Sequence, residues 1–87
     1  MKFRFTQHAK QKLARVRKAG FTLTLKQVKQ AVLHPRRVED REGGTLIATT
    51  PLDEDHVLRV VYRPEENRDD IIVIITFYPG RRKAYHL

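Results

Sequence analysis

Residues 71–78, IIVIITFY, constrain this chain more than any other stretch. An extended segment at a surface alternates apolar and polar side chains, but here both alternating sets are apolar. Such a strand needs cover on both faces, so it reads as the central strand of a sheet. Its core, Ile71–Ile75, is far shorter than the roughly 20 residues of a membrane-spanning helix. Eighty-seven residues supply one hydrophobic core, so the cover comes from the same single domain, residues 1–87. No cysteine is present, which removes disulfides, thiolate metal sites and a cysteine nucleophile together. That suits a reducing cytoplasm, and the opening MKFRFTQHAK holds no apolar signal-peptide core.

The other elements follow from local signals. KFRF at 2–5 alternates basic and aromatic residues, as a short strand does. Thr6 suits a helix N-cap, Ala9, Leu13 and Val16 form an apolar stripe, and Gly20 is the stop after a helix to about Ala19. A second helix starts at a capping box of Thr24 and Gln27, with Leu23 and Val28 at hydrophobic-staple spacing. Leu25, Val28, Ala31 and Val32 give its buried face, and Pro35 ends it. RRVEDRE then reads as a polar edge strand, turned by Gly43-Gly44 into TLIATT. PLDEDH is an acidic turn and PEENRDD an acidic loop. Between them, VLRVVYR puts Leu58, Val60 and Tyr62 on one face and Val57, Arg59, Val61 and Arg63 on the other. The order β-α-α-β-β-β-β predicts an α+β domain, with both helices on one face of a curved, mainly antiparallel sheet. The opposite face, or its rim, is left free for a ligand.

Charge is high and uneven. The net charge is +8, and residues 1–41 hold twelve Lys or Arg against Glu39 and Asp40 alone. Residues 42–80 are net acidic, and Arg81, Arg82 and Lys83 restore the positive sign. A patch of this kind points to a polyanion bound through phosphate neutralisation. The first helix carries Lys10, Lys12, Arg15, Arg17 and Lys18 with no acid. Like charges this close repel, and an anionic partner relieves the repulsion. His8, Lys12 and Arg15, at i, i+4 and i+7, are expected opposite the apolar stripe, and with Lys18 and Arg82 form a set that contacts a nucleic-acid backbone. The alternative is a solvated cationic face.

Candidate chemistry lies in the strands and after them. Arg59 and Arg63 stand on one face of an otherwise apolar strand, where arginine either clamps a phosphate or pairs with an acid such as Glu39. The closing GRRKAYHL holds Arg81, Lys83, Tyr85 and His86, the residue types that cleave RNA without a metal or cofactor. A base removes the 2′-hydroxyl proton, an acid protonates the leaving oxygen, and cations stabilise the phosphorane. The alternative is a partly ordered basic tail. His8, His34, His56 and His86 have no metal-ligand spacing, and neither a phosphate-binding loop nor a nucleophile elbow occurs.

Taken in order, FTQHAKQKL, GFTLTLKQVKQAVLHPRRV, LRVVYRP and IIVIITFYPGRR resemble the RelE/ParE-type toxin superfamily, and within it the small RelE-like domains related to BrnT. The resemblance covers nearly the whole chain. It implies a compact α+β fold, cleavage of mRNA with or without the ribosome, and a small antitoxin that covers the basic surface. It also implies catalytic roles for Arg or Lys on late strands and for a Tyr or His beyond them, which here are Arg59, Arg63, Arg81, Lys83, Tyr85 and His86. His8 matches the helix-opening histidine of the BrnT-related domains. Three readings follow: a metal-independent endoribonuclease toxin, a non-catalytic RNA- or DNA-binding module, and a domain that docks an acidic protein.

Overall fold

The apolar run lies inside a longer strand. The computed structural model describes residues 1–87, with strands β1 (Lys2–Phe5), β2 (Arg37–Asp40), β3 (Leu46–Pro51), β4 (His56–Glu65) and β5 (Arg68–Arg81) and helices α1 (Gln7–Lys18), α2 (Leu25–Leu33) and α3 (Arg82–Tyr85). One sheet runs in the order β1-β5-β4-β3-β2. Only the β1–β5 pair is parallel. This is the expected α+β arrangement, with a short third helix added. The middle position belongs to β4, however, and β5 lies next to it. β4 is as deeply buried, but Arg59 and Arg63 make its sequence look half-polar.

Both helices begin and end as their local chemistry dictates. The Thr24 hydroxyl accepts from the Gln27 amide at 3.2 Å, and the Gln27 side chain accepts from the Thr24 amide at 2.8 Å. α1 closes in a Schellman motif, with Gly20 N donating to Arg17 O and Phe21 N to Val16 O. Gly20 has φ +99°, open to glycine at little cost. Ala9 and Val16 from α1, and Leu23 and Val28, pack on Leu58, Val60, Ile74 and Phe77. Leu25, expected in this face, is 37% exposed at the first turn of α2. Tyr62 is buried in the same core, and burial, with Asp40 adding, pushes its phenol above the usual range.

A bulge fixes how α1 meets the sheet. Val61 pairs with Thr76 and Tyr62 with Ile74, so Ile75 is an extra residue on β5. Thr6 takes the carbonyls there: its amide donates to Ile74 O at 3.1 Å and its hydroxyl to Ile75 O at 2.8 Å. The same hydroxyl oxygen accepts from Ala9 N and caps α1. PEENRDD, expected as a loop, is a tight hairpin in which Glu66-Asn67 is the whole turn. Asn67 supplies the left-handed φ of +68°. On its far side Arg68 donates two bonds to Asp70 and holds that carboxyl below the usual range.

The face away from α1 and α2 is not wholly free. Ile47, Thr49, Val57, Arg59, Val61 and Val73 are buried on it. α3 folds back over part of this face and sets the Tyr85 ring against Gly80 and Arg59. Because Thr6 both caps α1 and joins it to the bulge, Thr6→Ala is expected to cost about 2 kcal/mol and Thr24→Ala about 1 kcal/mol. Urea denaturation midpoints of the two variants check the order.

Candidate nucleic-acid interface

The residues proposed for chemistry fall into three places. Arg59 sits in the first, with 6% of its surface exposed. A buried guanidinium needs compensation, and here it comes from stacking and one acid. The Tyr85 ring lies 4.2 Å from its Cζ, Tyr78 5.8 Å, and Glu39 Oε1 is 3.5 Å from Nη2. Nε of Arg59 and Oγ1 of Thr49, paired across β3 and β4, are buried without a partner in the chain. Arg37 donates from Nη1 to the Tyr85 carbonyl at 2.8 Å and fastens α3 over this row. Arg59 and Tyr85 therefore meet, but as a packed stack. Arg63 lies four residues further along β4, about 13 Å away at strand spacing, with Nη1 directed to Pro64 O.

Basic α1 residues form the second place. None of the four ion pairs in the chain uses Lys10, Lys12, Arg15 or Lys18. His8, Lys10, Arg15 and Lys18 are exposed, whereas Lys12 is half-buried. At about 100° per residue Lys12 stands only about 40° from Val16, so Lys12 flanks the apolar stripe and does not oppose it. Arg17 spends its Nε–H on Leu23 O at 2.8 Å and ties α1 to the next loop.

The third place is the rim where β4 begins and β5 ends. The turn before β4 is closed by Leu52 N and Asp53 N, both donating to His56 O. Asp53 Oδ1 accepts from Asp55 N at 2.8 Å, which fixes its carboxylate. That carboxylate meets His56 Nδ1 at 2.9 and 3.2 Å through its two oxygens. The His56 hydrogen bond is the main reason the Asp53 carboxyl lies below the usual range. Phe21, set by the end of α1, meets the His56 ring edge to face, with centroids 4.8 Å apart and planes at 87°. Arg81 pairs directly with His56 across the strands. Asp55, His56, Arg81 and Lys83 line a cleft of about 380 Å³.

Arg82 is an internal staple. Its amide donates to Asp55 O at 2.8 Å, its Nε to Leu87 O at 2.6 Å and its Nη1 to Asp53 O at 3.3 Å. His86, in the left-handed region with φ +56°, is exposed beside Lys83 on a neighbouring cleft of about 500 Å³. Of the six residues proposed as catalytic, Arg81 and Lys83 share one cleft, Lys83 and His86 another, and Arg59 and Tyr85 the stack. His56 and Asp53 were not among them. The spacing Asp53-x-x-His56 across a turn was the available signal, hidden in an acidic segment. No group of three His, Asp or Glu side chains is placed to hold a metal ion, and no helix is long and apolar enough to cross a membrane. No protein-family model, curated protein or solved structure matches the chain significantly.

Two outcomes follow from this geometry. A Cβ on Gly80 would lie 2.6 Å from Tyr85 Cε2, so Gly80→Ala displaces the ring from Arg59. Gly80→Ala and Tyr85→Ala are each expected to cost about 1–2 kcal/mol, and the double variant little more than Tyr85→Ala alone, in a double-mutant cycle of urea unfolding. His56→Ala should raise the Asp53 carboxyl toward its ordinary value of about 3.9, read by carboxyl NMR. Because the folded value is lowered, the stability it contributes is present above the unfolded value and is lost as pH falls through the folded one. His56→Ala reduces that acid-side dependence, and the Asp55 amide keeps the remainder.

Proposed function

We propose that this chain is an RNA-directed domain of RelE/ParE-type toxin character, which holds the phosphate backbone on cations of α1 and the rim and cleaves RNA there. The observation that carries this reading is the exposed cationic charge of α1, which has no acidic partner anywhere in the chain. Five cations on a twelve-residue helix repel one another, and a polyphosphate removes that repulsion. Arg81 and Lys83, at the end of the sheet, add positive charge where a phosphate can enter a cleft. In this reading the domain acts in the cytoplasm, and a small antitoxin with an acidic segment covers α1 and the rim.

A second reading, RNA binding without cleavage, draws support from Arg59. Its guanidinium is enclosed by Tyr78, Tyr85 and Glu39, so it stabilises the fold where a ribonuclease would present it to substrate. One pair of measurements separates the two. Purified protein incubated with RNA in EDTA, with and without ribosomes, should cut it; intact RNA together with salt-sensitive binding leaves the second reading. Replacing Lys10, Arg15 and Lys18 together by alanine should weaken binding to single-stranded RNA and lower the slope of log affinity against log salt by about 2. Fluorescence anisotropy at several salt concentrations measures it, and an unchanged slope removes α1 from the interface.

A further inference from the structure

The rim cluster has a more specific construction than a basic patch requires. Carboxylate oxygens only accept, so the proton between Asp53 and His56 sits on Nδ1, and in the neutral ring Nε2 carries the lone pair. No hydrogen bond within the chain uses that Nε2. Three separate features hold the imidazole: both Asp53 oxygens, the Asp55 amide that fixes this carboxylate, and the perpendicular ring of Phe21. Arg81 stands directly across the strands from His56, a relation that puts Cβ atoms about 5 Å apart on one face. Lys83 follows in the first turn of α3, and the Arg82 amide hooks that turn to Asp55. An oriented imidazole and two cations thus share, with Asp55, a cleft of about 380 Å³, room for one phosphodiester group.

We propose that His56 is the general base of this site, that Asp53 positions it, and that Arg81 and Lys83 receive the scissile phosphate of RNA. The inference rests on the ribonuclease reading and adds His56 and Asp53, which that reading did not include. Nε2 takes the proton of the 2′-hydroxyl, and the 2′-oxygen bonds to phosphorus. The bond from phosphorus to the 5′-oxygen breaks, and that oxygen takes a proton from Lys83 Nζ. Arg81 offsets the charge on the non-bridging oxygens. The products are a 2′,3′-cyclic phosphate and a 5′-hydroxyl; His56 then releases its proton to water and Lys83 regains one. No metal or co-reactant enters the balance.

The test measures cleavage of a labelled RNA in EDTA, with and without ribosomes, and RNA affinity in parallel. His56→Ala should lower the single-turnover rate by about 100-fold or more, the usual contribution of a general base, and leave affinity within about twofold. Added imidazole should restore part of the rate. Asp53→Ala should lower kcat with KM little changed, and Asp53→Glu should recover part of it. His34→Ala, a histidine that does not line the His56–Arg81–Lys83 cleft, serves as the control. Cooperative thermal melts of His56→Ala and His56→Gln, with midpoints well above the assay temperature, exclude simple unfolding. Wild-type cleavage with undiminished cleavage by both His56 variants would overturn the proposal and leave the ribonuclease reading in place. Binding without any wild-type cleavage would overturn both.

Discussion

Everything in this fold answers to the need to shield β5 on both faces. α1 and α2 cover one side with small and β-branched residues, Ala9, Val16, Val28 and Ala31, so the helices lie close to the strands. The other side is closed at its far end by the chain itself. Gly80 has no side chain to hold Tyr85 away, the ring settles against it, and Arg59 becomes enclosed beneath. A buried arginine is costly when isolated, and its stacking between two tyrosines beside Glu39 offsets that cost. The position of α3 and the state of Arg59 are thus one problem with one solution.

Local signals carried most of the architecture. The Thr24 capping box, the Thr6 cap and the Gly20 stop depend on a few adjacent residues, and each forms as its chemistry requires. The two faces of β4 likewise follow from alternation alone. What failed was anything set by neighbours distant in sequence. β5 looked central because it is apolar throughout, yet rank within a sheet depends on partners, and β4 conceals its burial behind two arginines. Leu25 matched the apolar stripe of α2 but falls in the first turn, beyond the reach of the sheet. PEENRDD looked too charged for strands, although a two-residue turn at Asn67 needs little more than one left-handed residue.

The site was less legible for the same reason. Counting Arg, Lys, Tyr and His near the end of the chain treated that segment as one surface. In the folded chain Arg82 points inward to Leu87 and Asp53, Tyr85 stacks on Arg59, and Arg63 stands well along β4. His56 gave no such impression, since its setting comes from Asp53 across a turn, Phe21 from another element and Arg81 across a strand pair. A single imidazole among acids reads as a surface residue until those three are brought together.

The parallel pairing of β1 with β5 has a kinetic side. Lys2 sits beside Ile71, and the Thr6 hydroxyl reaches Ile75 O across 69 residues of sequence. The hairpins β2–β3, β3–β4 and β4–β5 can form from nearby residues, but the first strand has no partner until nearly all of the chain exists. Contacts of such long sequence separation slow folding. On a ribosome, the opening strand and the basic α1 would therefore wait, unpaired, for the last third of the chain to emerge, so closure of the sheet is a late event that follows synthesis of β5.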